Sequence, residues 1–247
     1  MKKAFTCLLF LSVLSLLGCK EERSKNILTF AVSGDYPPFE YYQDGKLTGF
    51  DIELAQLIAK ELGKEAKFED MQFSTLLAAL QSNTVDAAIS TLTITKDRQE
   101  NFTFSDPYYT GTLVAVYYKE KPITDQSQLS KKKIGCLLGA SMEIWLKKHV
   151  PDAEIISMDN NNQVIEALKA GHVDLAFMDN SQGAIYSKNN PELSYTIIAK
   201  SDDGYGIAVQ KPSPLKDEIN QALKALKENG DLQKLQKKWM GRTEWKN

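Results

Sequence analysis

Hydroxyl side chains and an arginine lie close together where a predicted strand ends. The buried strand predicted over 85–90 leads into a tip that carries three hydroxyl residues: Ser90, Thr91 and Thr93. Thr95 is a good helix N-cap, which places Arg98 in the first helical turn beside this tip. A guanidinium and the free backbone N–H groups of a helix start together suit bidentate binding of a carboxylate.

A second candidate for carboxylate binding precedes another predicted helix. Gly139-Ala140-Ser141 come directly before the helix predicted over 142–149, so Ser141 and its backbone N–H could reach a ligand from a second lobe. Small residues here also simply permit a tight strand-to-helix turn. Arg98 has its own alternative, a surface ion pair with one of three neighbouring acids: Asp97, Glu100 or Asp106.

A negative charge is predicted at the end of a different strand. Asp179 closes the run 173–179, and a carboxylate at a strand tip pairs naturally with an ammonium group. Asp86 and Asp174 precede their strands at the far end and are assigned to turns. If the tips that carry Arg98 and Asp179 face each other, the cleft suits a small molecule with one anionic and one cationic group.

Two aromatic residues stand at junctions between loops and elements. Tyr36 begins the run Tyr36-Pro37-Pro38-Phe39, whose prolines stiffen the loop, and Phe73 precedes Ser74, the predicted cap of a helix over 75–82. Two such rings can enclose an aliphatic stem or a cationic head, with cation–π attraction of about 0.5–2 kcal/mol. Core packing is the alternative, and it is the interpretation we adopt for Phe39 and Phe50.

The elements that must position these residues form an internal repeat. STLLAALQSNTVDAAIST (74–91) and NQVIEALKAGHVDLAFMD (162–179) align at an offset of 88 residues, with a shared helix, a small or amide residue at its end, Val-Asp and a strand. A chance match of two amphipathic helices is the alternative. Alternating strands and helices predict βαβ units, hence an α/β fold of two similar lobes with ligands outside the carboxyl ends of the strands.

The composition is that of an ordinary globular protein. The chain has 247 residues, a net charge of −2, 43% hydrophobic and 25% charged residues. No clustered basic face indicates a nucleic-acid partner, and the lysines near the C-terminus fit the wet face of an amphipathic helix. Two distant histidines, His149 and His172, show no ligand spacing, so we predict no metal and no cofactor. Cys136 is predicted to be a buried strand thiol.

The N-terminus has the pattern of a lipoprotein export signal. Lys2 and Lys3 precede an apolar run over 4–17, too short for a permanent membrane span, which ends in Leu16-Leu17-Gly18-Cys19. This ending resembles the bacterial lipobox, after which Cys19 would be the first mature residue and would be acylated. We therefore predict a signal peptide over 1–18 and a lipidated tether over 19–26; a plain signal peptide that ends in Cys is the alternative.

Taken together, these segments resemble the polar amino-acid-binding proteins of bacterial ABC transporters, family 3 of the solute-binding proteins. The resemblance is carried by three runs and extends over the mature chain: GDYPPFEYYQDGKLTGFDIELAQLIAKELG, ISTLTITKDRQENFTFSDPYY and KKIGCLLGAS. It implies the type II periplasmic binding protein fold, two Rossmann-like lobes joined by two hinge strands. Lobe 1 would comprise 27–111 and 205–247 and lobe 2 would comprise 112–204, with hinges near Thr110–Val114 and Asp202–Tyr205.

The resemblance also implies a role for each site residue. Tyr36 and Phe73 would stack on the ligand side chain, and Ser90, Thr91 and Thr93 would line the first lobe. Arg98 would clamp the α-carboxylate with help from Ser141, and Asp179 would take the α-ammonium. The implied protein is a monomeric lipoprotein of the periplasm or cell surface that binds a free amino acid and serves an ABC permease.

Ligand identity and function class leave alternatives. Basic amino-acid binders often carry an acid before the Tyr36 position, where this chain has Ser33 and Gly34, although Asp35 or Glu40 could supply the charge. Arginine or lysine is the first expectation, glutamine or histidine the second. A cyclohexadienyl dehydratase-like enzyme on the same fold and an amino-acid sensor or adhesin module are the rivals, and we expect no catalytic activity.

Overall fold

The computed structural model describes residues 26–201 and 204–241 of the chain. The predicted signal peptide, Cys19 and almost all of the predicted tether lie outside the described residues, as does part of the second predicted hinge. Among the helices that are described, none is long and apolar enough to cross a membrane.

Strands and helices alternate along most of the chain, as the sequence pattern predicts. The strands are β1 (Ile27–Val32), β2 (Asp35–Tyr36), β3 (Glu40–Gln43), β4 (Lys46–Thr48), β5 (Glu65–Asp70), β6 (Ala87–Ala88), β7 (Phe102–Phe104), β8 (Thr112–Tyr118), β9 (Lys133–Leu137), β10 (Glu154–Met158), β11 (Leu175–Asp179), β12 (Leu193–Lys200) and β13 (Ala208–Gln210). The α-helices are α1 (Phe50–Glu61), α2 (Leu76–Gln81), α3 (Lys96–Asn101), α4 (Ser141–His149), α5 (Asn161–Lys169), α6 (Asn180–Asn189), α7 (Leu215–Glu228) and α8 (Asp231–Met240).

Within the described residues, ten strands form two five-stranded sheets with the same plan, and β2, β3 and β4 form a separate three-stranded sheet. The first sheet has the order β5-β1-β6-β13-β7 and the second has the order β10-β9-β11-β8-β12. In each sheet the first three strands are parallel and the last two run antiparallel to their neighbours. We call the elements around the first sheet lobe 1 and those around the second lobe 2. The predicted α/β fold with two similar lobes is confirmed.

The two copies of the sequence repeat also agree in detail. The helix of each copy is followed by a residue in the left-handed region, Asn83 at φ 57° and Gly171 at φ 72°. Asp86 and Asp174 each accept a hydrogen bond of 2.8 Å from a backbone N–H of the neighbouring parallel strand, β1 or β9. The assignment of both aspartates to turns at the far end of the sheets is thus confirmed.

Two predicted helix starts differ from the structure. Ser74 does not cap α2, because a 3-10 helix over Phe73–Thr75 intervenes and α2 begins at Leu76 without a side-chain cap. In lobe 2, α4 begins at Ser141 itself, and Ala140 occupies the cap position. At α2 the 3-10 turn supplies backbone acceptors: the N–H of Thr75 donates to Gln72 and that of Leu76 to Phe73, so no hydroxyl cap is needed there.

The structure confirms two further predictions, an exposed lysine face on the helix near the C-terminus and a buried thiol at Cys136. On α8 the side chains of Lys234, Lys237 and Lys238 are exposed. The opposite face of the helix is buried and carries Leu232, Leu235 and Trp239. Cys136 is fully buried in β9. Burial raises the pKa of its thiol to about 12, so the sulfur stays protonated at neutral pH.

The start of α1 depends on a close approach between two backbones. The first N–H groups of α1 donate to the carbonyls of Pro38 and Phe39, at 3.0 and 2.8 Å. Gly49 precedes the helix at φ 131°, and a Cβ there would lie 2.1 Å from the carbonyl oxygen of Phe39. Only glycine permits this approach, which joins α1 to the loop that carries Tyr36.

Gly49→Ala is therefore expected to reduce the free energy of unfolding by about 3 kcal/mol or more, through backbone strain and a steric clash. Gly45→Ala is the matched control, since Gly45 also has a positive φ but a Cβ there would meet no atom within 4 Å; it is expected to cost about 1 kcal/mol. Urea unfolding of both variants measures the difference. Equal losses would contradict the close-approach argument.

Candidate functional site between the two lobes

The turn after β6 is fixed from inside lobe 1. Strand β6 is shorter than the predicted 85–90, and the residues that follow it, Ser90 and Thr91, bond to side chains of lobe 1. The Ser90 hydroxyl donates to Glu40 Oε1 at 2.6 Å, and the Thr91 N–H donates to Asp51 Oδ2 at 2.8 Å. Thr91 has φ 46°, a conformation that a β-branched residue rarely adopts. The predicted site residues of this turn are thus buried and held rigidly.

Arg98 lies in the first turn of α3, as predicted. Thr95 accepts its backbone N–H at 3.3 Å, while its guanidinium donates to the carbonyls of Thr93, at 2.7 Å, and Gly139 of lobe 2, at 2.9 Å. The ring of Phe73 lies 5.8 Å from the guanidinium carbon. The alternative of a surface ion pair is wrong, because the residue is only 7% exposed and its guanidinium donates to neutral acceptors among the described residues.

The guanidinium therefore carries a buried positive charge that the described residues do not neutralise. Burial lowers the pKa of Arg98 to about 10, which still leaves it charged at neutral pH. Carbonyl oxygens stabilise a guanidinium less than a carboxylate does. Such a site favours an anionic group from outside the chain.

Ser141 and Thr93 meet at the boundary between the lobes. Their hydroxyl oxygens lie 2.9 Å apart, so the first residue of α4 contacts the turn after β6 directly. The structure thus brings together three of the predicted carboxylate-binding residues, Thr93, Arg98 and Ser141, from segments that are distant in the chain.

Asp179 occupies the corresponding position in lobe 2. Its Oδ1 caps α6, accepting the N–H groups of Ser181 at 2.9 Å and Gln182 at 3.2 Å. Its Oδ2 accepts the hydroxyls of Tyr36 and, at 3.2 Å, Tyr205. The residue is 2% exposed and has no cationic partner among the described residues. Its negative charge is thus held by hydrogen-bond donors alone.

Tyr36 crosses the boundary with its hydroxyl rather than with its ring face. Burial and then the negative charge of Asp179 raise the pKa of Tyr36 well above its ordinary value, and the same causes act on Tyr205. Both phenols therefore remain hydrogen-bond donors. The ring of Tyr36 lies 6.5 Å from that of Phe39, whereas Phe73 lies against Arg98. The two predicted aromatic walls are thus placed beside the two charged groups.

Sequence reasoning missed several residues of the boundary. Tyr205 bonds to Asp179, and Gln182 of α6 donates from its side-chain amide to the carbonyl of Pro37 in lobe 1. A cavity of about 410 Å³ lies beside Asp179, next to the segments predicted as hinges. Its lining includes Tyr109, Thr110, Gly111, Ser181 and Tyr205. No local motif marks these residues, because each acquires its role from the packing of distant segments.

The described residues contain no cluster of three or more His, Cys, Asp or Glu side chains that could hold a metal ion. The arrangement at the boundary is suited to recognition of a small charged molecule. A buried cation lies on one side of the boundary, a buried anion lies on the other, and hydroxyl groups lie between lobes that already touch.

Comparison with known proteins agrees with this geometry. A model of the bacterial extracellular solute-binding proteins, family 3, matches residues 28–242. The chain is 36% identical over 223 residues to the arginine-binding extracellular protein ArtP of Bacillus subtilis (strain 168), covering 88% of each chain. It is 33% identical over 224 residues to the L-cystine-binding protein TcyJ of Escherichia coli (strain K12), covering 89% of this chain and 84% of that one.

Solved structures give the same relationship. An ancestral arginine-binding protein bound to arginine superposes with a TM-score of 0.83 at 36% identity, covering 87% of this chain and 98% of that one. The likeness extends over nearly all of the described residues, and it confirms the resemblance noted from the sequence. The chain therefore belongs to the bacterial extracellular solute-binding proteins of family 3.

Proposed function

We propose that this protein captures a free polar or basic L-amino acid outside the cytoplasm and delivers it to an ABC importer. The observation that carries the proposal is the pair of buried charges, Arg98 in lobe 1 and Asp179 in lobe 2, each without an opposite charge among the described residues. An α-amino acid supplies both missing charges, a carboxylate and an ammonium. Arginine or lysine is the first candidate side chain, in line with the arginine-binding relatives, and glutamine or histidine is the second.

Each residue at the boundary has a proposed role. Arg98 binds the α-carboxylate with the hydroxyls and backbone groups of Ser90, Thr91, Thr93 and Ser141, and Asp179 binds the α-ammonium. Tyr36 and Phe73 contact the ligand side chain. The positions of Arg98 and Thr93 against lobe 2 support these roles, since a ligand between them would be bound by both lobes at once.

Binding is proposed to act by hinge closure. Lobe 1 comprises 27–111 and 205–247, and lobe 2 comprises 112–204. The assignment is supported by β8, which begins at Thr112 and joins the second sheet, and by β13, which joins the first. Contacts that require both lobes exist only in the closed form, so the ligand shifts the equilibrium towards closure by its difference in affinity for the two forms.

The proposed location follows from the N-terminal sequence. Acylation of Cys19 would anchor the protein to a membrane at the periplasmic or outer surface, with residues 19–26 as a polar tether. The protein would act as a monomer whose closed lobes present a surface to the permease. The names of the extracellular relatives support a place outside the cytoplasm.

A calorimetric screen of the twenty amino acids and ornithine tests the proposal. We expect arginine or lysine to bind most tightly and, at a fixed ligand concentration, to raise the unfolding midpoint the most, since ligand stabilisation grows with the logarithm of the affinity. Incubation with prephenate or arogenate is expected to give no product, which distinguishes binding from dehydratase activity. Failure of every amino acid to bind would refute the proposed function.

Arg98→Ala is expected to weaken binding of the preferred amino acid by about 3 kcal/mol, which is about a hundredfold, because a buried carboxylate then loses its charged partner. Lys96→Ala in the same helix is the matched control, since Lys96 is exposed. Isothermal calorimetry on both variants measures the effect. An unchanged affinity in Arg98→Ala would exclude the assigned role.

Asp179→Asn separates the two tasks of Asp179. Asparagine caps a helix about as well as aspartate does, so the unliganded stability is expected to change little, while loss of the charge lowers ligand affinity by about 2 kcal/mol. Asp179→Ala removes the cap too and is expected to cost about 1 kcal/mol of stability in addition. Urea unfolding without ligand and calorimetry with ligand distinguish these effects. Full affinity in Asp179→Asn would show that no ammonium binds there.

A further inference from the structure

Two acidic side chains are packed together inside lobe 1, behind the turn that carries the site. Glu40 lies on β3 and Asp51 lies in the first turn of α1, and both residues have no exposed surface. The two residues are neighbours in space, because the Asp51 N–H donates to the carbonyl of Phe39, which precedes Glu40, and their carboxyl groups bond to the adjacent residues Ser90 and Thr91. Neither forms an ion pair among the described residues. The roles proposed above for ligand binding use neither of them.

Each carboxyl uses one oxygen to hold the turn after β6. Glu40 Oε1 accepts the hydroxyl of Ser90, whose oxygen in turn accepts the N–H of Ser33 at 3.1 Å. Asp51 Oδ2 accepts the N–H of Thr91 and the hydroxyl of Tyr108, both at 2.8 Å. The backbone of Thr91, at positive φ, is therefore fixed by the carboxyl pair.

The other oxygen of each carboxyl has no donor. Glu40 Oε2 and Asp51 Oδ1 are both buried and are not hydrogen-bonded to any other described group. Two carboxylates in this position would repel each other and leave both oxygens unsatisfied. One proton shared by the two groups removes the repulsion and also satisfies both oxygens, because the protonated carboxyl donates a hydrogen bond to the remaining carboxylate.

The surroundings favour the proton on Glu40. Asp51 lies at the helix start and accepts two hydrogen bonds, both of which favour its charged form. The other titratable groups that face the pair are the carboxyl of Asp35 and the phenols of Tyr36, Tyr108 and Tyr205. None of these described groups is a cation. Burial and the charge of Asp51 raise the pKa of Glu40 well above its ordinary value, while burial raises the pKa of Asp51 to about 6.

We propose that Glu40 and Asp51 share one proton at neutral pH, carried by Glu40, and that this acid–carboxylate pair positions the Ser90–Thr91 turn for ligand binding. Both residues are positioning residues, which act through Ser90 and Thr91. The part of the inference that concerns ligand binding rests on the proposed function; the shared proton does not.

The shared proton gives a defined dependence on pH. Above about pH 4.3 an unfolded glutamate is ionised, whereas folded Glu40 keeps its proton, so the folded state binds more protons than the unfolded state. The contribution of Glu40 to stability is therefore complete below that pH and is lost as pH rises towards the pKa of folded Glu40. The substitution Glu40→Gln copies the protonated acid, because the amide N–H can donate to Asp51 while the amide carbonyl accepts from Ser90.

The experiment compares wild type with Glu40→Gln and the control Glu61→Gln, a change at an exposed position of α1. Urea midpoints are measured without ligand between pH 5 and pH 8.5. We expect the midpoint of Glu40→Gln to rise relative to wild type as pH increases, while Glu61→Gln follows wild type in parallel. A difference between Glu40→Gln and wild type that does not change with pH would overturn the shared proton.

Infrared spectroscopy of the wild-type protein decides the same point if Glu40→Gln fails to fold. At pH 7.5 the carbonyl band of a protonated carboxylic acid is expected, with a shift in D₂O. Absence of that band would refute the proposal. In calorimetry with the tightest-binding amino acid, Glu40→Ala is expected to lose at least tenfold in affinity and Glu40→Gln to recover most of it; equal losses in both variants would refute the positioning role.

If wild type binds no amino acid, the proposed function fails, yet the urea and infrared measurements still decide whether the proton is shared. If wild type binds an amino acid but shows neither the pH-dependent difference nor the infrared band, the carboxyl pair fails alone. The two proposals are thus separately refutable.

Discussion

A folded protein buries a lone charge only where hydrogen bonds or a bound partner replace the water that it loses. Arg98 and Asp179 are two such charges, of opposite sign, on the two lobes of this protein. The guanidinium is held by two backbone carbonyls, and the carboxylate is held by a helix start and two phenols. Neutral groups satisfy the hydrogen bonds of these two side chains but do not cancel their charges. A solute with one anionic and one cationic group can neutralise both.

The fold brings the two charges to one boundary because equivalent strand ends of the two lobes lie opposite each other. The two sheets share one strand order, so the tip after β6 in lobe 1 and the tip of β11 in lobe 2 are the same structural position in two copies of one unit. Sequence divergence between the copies has put hydroxyls and an arginine near one tip and an aspartate at the other. The repeat thus explains why buried groups of opposite charge lie near equivalent strand ends of two similar lobes.

Several contacts between the lobes already cross the boundary. Thr93 meets Ser141, Arg98 reaches the Gly139 carbonyl, and Tyr36 donates to Asp179. These contacts hold the two lobes against each other among the described residues. The buried carboxyls of Glu40 and Asp51 fix the Ser90–Thr91 turn on the lobe 1 side of this boundary.

The sequence by itself determined the α/β class, the repeat, the turn roles of Asp86 and Asp174, and the placement of Arg98 in a helix start capped by Thr95. These features depend on periodicity and short-range hydrogen bonds, which neighbouring residues express directly. Only the tertiary structure decided that Tyr36 donates to Asp179, 143 positions away, that Tyr205 joins them, and that Glu40 and Asp51 bond to the same Ser90–Thr91 turn. It also replaced the predicted Ser74 cap with a 3-10 turn. Such contacts arise when distant segments pack together, and no local pattern of residue types encodes which of them will meet.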